Sequence, residues 1–242
     1  MNTPLTARQT QILKSIIDEY IKTAIPVGSS SLDKKYNLGV SPATIRSEMV
    51  QLTRMKYLKQ PHTSSGRTPT PLAMKFYINQ LMEEKKLGIA EEVKAKEEVW
   101  DSRFDFEKLM SEATRSLANK TNSLAVAATE DGEVYKAGMK NIFDNPEFDD
   151  IEICQNIFSM IEETNGLHEL FFEKLTGLHT VEVLFGSELS WSPLLGDIGI
   201  VATKFDIKDK HGAIGVVVPS RQTPMMISSV RYWRSLIEEL LA

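Results

Sequence analysis

Residues 41–67 read SPATIRSEMVQLTRMKYLKQPHTSSGR, and the fold can be worked outward from this stretch. Ser41 suits the N-cap of a helix, where its hydroxyl accepts a backbone N–H that has no intrahelical partner. Pro42 suits the first helical position, where no N–H is needed. Ile45, Met49 and Leu52 then fall at i, i+4 and i+7, so they face a core and turn Ala43, Thr44, Arg46 and Ser47 toward solvent near the helix start. After Tyr57-Leu58-Lys59-Gln60, the segment Pro61-His62-Thr63-Ser64-Ser65-Gly66-Arg67 places a Ser/Gly-rich tip between two short extended pieces, which predicts a hairpin. A capped helix running into a basic hairpin is the outline of a winged helix-turn-helix, whose recognition helix enters a DNA groove.

The flanking sequence fits the same unit. Thr6 and Gln9 form a capping box, and Ile12, Ile16, Ile17, Tyr20 and Ile21 follow as one apolar stripe that Pro26 ends. A second short helix fits Ser29 to Tyr36, with Gly39 free to adopt the left-handed conformation before Ser41. The segment Pro71 to Met82 is predicted helical, with Phe76, Ile78, Leu81 and Met82 as its buried or linking face. The candidate DNA contacts are Ser41, Ala43, Thr44, Arg46 and Ser47 on the third helix and Lys59, His62, Thr63, Ser64 and Arg67 on the hairpin. Arg46 is the expected reader of base or phosphate, because a helix start favours anions and the first residues of a recognition helix meet base edges. Ser29, Ser30, Lys34 and Lys35 form a second set. Lys34 and Lys35 serve equally well to solvate their helix, and His62 to brace the hairpin.

Charge divides the chain in the same place. The formal net charge is −5 over 242 residues, yet residues 1–86 carry +7 and the remainder −12. A basic head on an acidic body is suited to a polyanion that only the head can approach. Cys154 is the single cysteine, which excludes an intramolecular disulfide and fits a reducing compartment. No signal-peptide pattern or bilayer-length apolar run is present, so a cytoplasmic, membrane-free protein is expected. His62, His168, His179 and His211 show no metal-ligand spacing, and no nucleophile elbow or phosphate-binding glycine loop occurs. Neither an enzyme nor a cofactor is expected.

The body reads as α+β. Residues 83–118 form a charged helical segment with Leu87, Val93, Trp100, Phe104, Leu109 and Leu117 along it, connecting a head of residues 1–82 to a domain of residues 119–242. Strands are predicted at Leu124–Ala128, Glu133–Ala137, Thr180–Phe185, Ile198–Lys204 and Ala213–Val218, with breaks at Asp131-Gly132, Gly186 and Asp209 to Gly212. Helices fit Asp150 to Glu163, Leu167 to Leu175 and Pro224 to Leu241.

These residues resemble a known family. Pro26-Val27-Gly28-Ser29, Leu32, Lys35-Tyr36, Leu38 through Arg46, Glu48-Met49, Tyr57-Leu58, Gln60 through Ser64 and Gly66-Arg67 are similar to the N-terminal signature of the heat-inducible transcription repressors called HrcA. Asn141, Asn145-Pro146-Glu147-Phe148, Gly212 through Val216, Pro219 and Arg221 resemble later parts of that family. The resemblance implies a GAF-like body and a repressor that binds double-stranded DNA at an inverted-repeat operator of chaperone operons, with the chaperonin maintaining its active form. The two-fold operator implies a homodimer, for which the connecting helix and the C-terminal helix are the candidate surfaces. Three departures stand out: Ser30 occurs where Arg is frequent, Ser47 where Asn is common, and Ala73-Met74-Lys75 where Gly-Tyr-Arg is usual. The inserted dimerisation region of the family is not evident either. A ligand-responsive winged-helix regulator of other genes, or a protein-interaction module with a sensor-like domain, is the other reading of the same residues.

Overall fold

The computed structural model describes residues 4–84, 86–189 and 193–242. The chain divides into two units, Met1–Glu83 and Glu84–Ala242.

The first unit holds helices α1 (Ala7–Thr23), α2 (Ser29–Lys35) and α3 (Pro42–Arg54), strands β1 (Leu58–Lys59) and β2 (Thr68–Pro69), and helix α4 (Pro71–Gln80). Helix α1 starts with the expected capping box, Thr6 Oγ1 accepting from the Gln9 backbone at 3.2 Å and Gln9 Oε1 from the Thr6 backbone at 3.1 Å. It ends at Thr23, before Pro26, because Ala24 turns left-handed at φ 55° and donates its N–H to the Tyr20 carbonyl. Helix α3 is capped by Ser41, which accepts from the Thr44 N–H at 3.2 Å, and Pro42 occupies its first turn. Gly39, at φ 66°, makes the turn between α2 and α3. Ile12, Leu13, Ile16, Ile17, Leu32, Ile45, Leu52 and Leu58 are buried together. Each contributes about 1.5–3 kcal/mol by leaving water.

One expectation needs correction here. The helix predicted to run to Met82 stops at Gln80, and its buried face is Ala73 and Met74, with Phe76 and Ile78 only half-buried. Thr70 sets this phase by capping α4 at its start, accepting from the Ala73 N–H at 3.3 Å while donating to the Lys56 carbonyl at 2.7 Å.

The second unit begins with α5 (Ile89–Val99), a 3-10 turn at Trp100–Ser102 and α6 (Phe106–Thr121). The segment expected to connect two domains is therefore packed into this unit: α5 lies on α6, and α6 on the C-terminal helix. Strands β3 (Leu124–Thr129) and β4 (Val134–Ala137) follow, then α7 (Ile151–Glu162) and α8 (Thr164–His168). The chain continues as a π-helical turn at Glu169–Lys174, strands β5 (Glu182–Phe185), β6 (Ile198–Ile207) and β7 (Lys210–Pro219), and α9 (Thr223–Leu241). The helix expected over Leu167–Leu175 is thus a short α-helix passing into a wider turn.

The five strands form one antiparallel sheet in the order β4-β3-β7-β6-β5. Leu124, Val126 and Ala128 of β3 join Ile157 and Ile161 of α7 and Phe171 of the π turn in one core, while α6 and α9 cover the other face. Burial on both faces explains why β3 reads as a continuous small apolar run rather than an alternating one. The break predicted from Asp209 to Gly212 is only a two-residue turn, with Lys208 at φ 54°, and pairing resumes at Ile207–Lys210. Gly212 lies inside β7, where a Cβ would sit 2.4 Å from the Phe205 ring.

A polar latch closes the unit. Glu147 accepts from Arg221, with Nη2 to Oε2 at 3.2 Å, and Asn145 Oδ1 accepts from the Gln222 side chain. Asn141 donates to the Ser123 carbonyl at 3.1 Å from a buried position. Residues that are scattered in the sequence thereby tie the segment after β4 to the turn between β7 and α9.

Candidate nucleic-acid interface

Helix α3 exposes Ala43, Arg46 and Ser47, because Ile45, Met49 and Leu52 fix its opposite face in the core. Thr44 is half-buried, its hydroxyl 3.0 Å from that of Ser41. Arg46 makes no hydrogen bond or ion pair with any described residue, leaving its guanidinium available to a ligand. Beside α3, the loop 60–67 is tied to itself and is not a slack tip. Gln60 Nε2 donates to the carbonyls of Thr63 at 2.8 Å and Ser65 at 3.1 Å, and Ser65 Oγ accepts from the His62 N–H at 3.0 Å and donates to the His62 carbonyl at 2.7 Å. His62, Thr63 and Ser64 are exposed on it, and Lys59 is exposed at the end of β1 just before it.

This loop is fastened at its base. Val27 and Arg67 exchange two backbone hydrogen bonds of 2.9 and 2.8 Å, forming an isolated antiparallel bridge. The Arg67 Nε also donates to Thr53 Oγ1 of α3 at 3.2 Å, and Thr53 in turn donates to the Met49 carbonyl. Gly66 permits the bridge, since a Cβ there would lie 2.5 Å from the Val27 carbonyl carbon and oxygen. The result is a cleft of about 480 Å³ between α3 and the wing, lined by Ser29, Ser30, Arg46, Thr63, Ser64 and Arg67 among others.

The predicted residues separate into groups. Arg46, Thr63, Ser64 and Arg67 converge on the cleft, and Ser30 is exposed at its edge. Ser29, of the second set, is buried at the start of α2, Lys34 is exposed, and Lys35 forms an ion pair with Glu19 of α1. Glu19 is itself buried and also accepts from the Tyr36 hydroxyl at 3.4 Å, so this pair joins α1 to α2. Burial pushes the Tyr36 hydroxyl up from its ordinary value, with Glu19 adding to the effect. Tyr77 is raised further, by burial and by its 2.7 Å hydrogen bond to Asp18. Gln60, Ser65, Gly66 and Thr53 were missed as organisers of the site. For Ser65 and Gly66 the sequence signal is the density of short polar residues and glycine at the hairpin tip; Gln60 and Thr53, the latter on α3, carry none.

The architecture of this chain is thus a helix-turn-helix with a wing in the first unit and an α+β fold in the second. Residues 68–223 match the family described as HrcA protein C terminal domain, and the chain belongs to the HrcA family. The Heat-inducible transcription repressor HrcA of Symbiobacterium thermophilum is 42% identical over 119 residues, 49% of this chain and 35% of that protein. The protein of the same name from Carboxydothermus hydrogenoformans is 26% identical over 335 residues, covering 97% of each. That span exceeds the 242 residues of this chain, so a long internal stretch of the relative has no counterpart here. The Clostridium botulinum relatives, like the Symbiobacterium one, align over about a third of their length, 36%. A hypothetical protein whose crystal structure was determined at 2.2 Å shares the fold, with a TM-score of 0.75, 17% identity and coverage of 98% of this chain and 99% of that one.

Proposed function

We propose that this chain is a cytoplasmic transcriptional repressor that binds, as a homodimer, an inverted-repeat operator of chaperone operons. In this reading it is released on heat stress and its active state is supported by the chaperonin. The observation that carries the proposal is the cleft between α3 and the wing, with Arg46 and Arg67 on its walls. Arg46 reads the base edge, where a guanidinium can donate twice to guanine. Ser47, with one hydroxyl, discriminates bases less strictly than an amide in its place. Lys59 and the hairpin tip of His62, Thr63 and Ser64 hold the phosphate backbone and so set position, not sequence. The names of the relatives support the heat-shock context, and the two-fold symmetry of an inverted repeat supports pairing of two heads.

Gel-shift titration of the full chain on a chaperone-promoter fragment with an inverted repeat, and on the same fragment with the repeat scrambled, tests the proposal. The expected result is a sequence-selective shift whose affinity falls steeply with salt, since each neutralised phosphate releases counterions. Equal binding to both fragments, or binding that salt leaves unchanged, overturns it.

A further inference from the structure

Of the arginines lining the cleft, Arg46 and Arg67, the second has its direction set from both ends. Its main chain is pinned to Val27 by two hydrogen bonds, and its Nε donates to Thr53 Oγ1 of α3 at 3.2 Å. Thr53 is an acceptor in this bond, because its hydroxyl proton goes to the Met49 carbonyl at 2.8 Å. A branched side chain that also bonds its own helix has little freedom to turn. The bond therefore ties the guanidinium to a rigid helix and not to the loop alone. Nη1 and Nη2 make no hydrogen bond or ion pair with any described residue, and they are what Arg67 has left to offer the cleft. The wall around them has its acceptors withdrawn: the carbonyls of Thr63 and Ser65 accept from Gln60, and those of His62 and Gly66 from the Ser65 hydroxyl. An anion that reaches Arg67 meets donors.

We infer that Thr53 is a positioning residue for DNA: by holding Nε, it aims the terminal nitrogens of Arg67 so that they grip one backbone phosphate as a fork. Thr53 does not itself line the cleft, so it acts through Arg67. A planar fork matches two phosphate oxygens at once, which a lysine ammonium of the same charge does not. A guanidinium already fixed on the helix loses little freedom when the phosphate docks, whereas one free to swing pays for its ordering in affinity. Because the ligand is phosphate, the bond sets how tightly DNA is held and leaves sequence preference to α3.

This inference rests on the DNA-binding reading and deepens it. Gel shifts of the full chain on the inverted-repeat and scrambled fragments, at matched salt, test it, with thermal melts confirming that each variant is folded. Thr53→Val keeps the branched shape without the hydroxyl and is expected to weaken binding to both fragments roughly three- to tenfold, their ratio unchanged. Thr53→Ala removes the same acceptor and is expected to match it. Thr53→Ser keeps the acceptor and is expected to bind within about twofold of the unsubstituted chain. Arg67→Lys keeps the charge without the fork and is expected to weaken binding likewise, after which adding Thr53→Val costs nothing further. If Thr53→Val costs as much beside Arg67→Lys as it does alone, Thr53 acts through the packing of α3 and the assignment falls. Undiminished binding by folded Thr53→Val and Thr53→Ala chains also overturns it, as does a loss confined to the inverted repeat; in each case the DNA-binding reading stands. An unsubstituted chain that gives no selective, salt-sensitive shift overturns that reading, and the inference with it.

Discussion

Substituting Gly66 by alanine examines how the wing is held. The new Cβ would lie 2.5 Å from the carbonyl carbon and oxygen of Val27 and 2.7 Å from the Pro26 carbonyl carbon. All three are backbone atoms, so no side chain can swing aside and the wing must retreat from Val27. The two hydrogen bonds of the Val27–Arg67 bridge are then lost or stretched, at about 1 kcal/mol each. Alanine offsets part of this by restricting the unfolded chain, by roughly 0.4–1 kcal/mol. The net destabilisation is therefore roughly 1–1.5 kcal/mol, which for a unit of this size lowers its melting midpoint by roughly 4–12 °C. The three tryptophans, Trp100, Trp191 and Trp233, all follow the first unit in the sequence. A transition seen by far-ultraviolet circular dichroism but silent in tryptophan fluorescence thus reports the head alone. The head's midpoint is expected to drop and operator affinity to fall with it, because the wing's exposed donors move away from α3. An unchanged or higher midpoint with undiminished operator affinity refutes the idea that this close approach positions the wing.

Other substitutions separate reading from holding. Arg46→Ala should weaken operator binding by about 1–3 kcal/mol and relax selectivity, whereas Arg67→Ala should lower affinity evenly on operator and random DNA; equal losses on both DNAs for Arg46→Ala contradict its role as a reader. Thr68→Val should leave the head as stable as before or stabilise it by roughly 1 kcal/mol, as the Thr68 hydroxyl is buried without a hydrogen-bond partner. A loss of more than that in urea unfolding points to a bond not present in the structure. Arg221→Ala leaves Glu147, with a side chain only 21% exposed, without its partner, and should cost the second unit about 3 kcal/mol; an unmoved tryptophan-fluorescence midpoint in urea speaks against the latch. Tyr77 stays protonated in the folded head to a higher pH than in the unfolded chain. Its contribution is therefore complete below its ordinary value of 10.0 and declines as pH rises beyond it. Tyr77→Phe should flatten the alkaline fall in the head's stability, and an identical slope in both proteins rules that contribution out.

The head was legible because its signals are local. The Thr6 and Ser41 caps, the i, i+4, i+7 spacing of Ile45, Met49 and Leu52, and the Ser/Gly tip each act within a few residues of themselves. The miss at α4 has the opposite origin: Thr70, which caps the helix, is held by a bond to Lys56, 14 positions away, and Ala73 and Met74 turn inward. In the second unit the strands were located but their order was not, since β3 and β4 are adjacent in sequence while β3 and β7 are joined only through the finished sheet. Lys35 and Arg67 look alike as surface cations. Only the fold distinguishes the one spent on Glu19 from the one that ties the wing to α3.

The place of β3 in the sheet also sets a schedule. Its first neighbour, β4, leaves the ribosome almost immediately, but its second, β7, comes only with Val217 opposite Leu124, and α9, which covers that face, comes later still. At roughly 5–20 residues per second, the Leu-Ala-Val-Ala-Ala-Thr edge stays open for several seconds or longer in every round of synthesis. The same edge reopens whenever heat detaches β7. An open edge on a largely apolar strand is a template for another chain, so the second unit is most exposed to mispairing when it is newly made or newly heated.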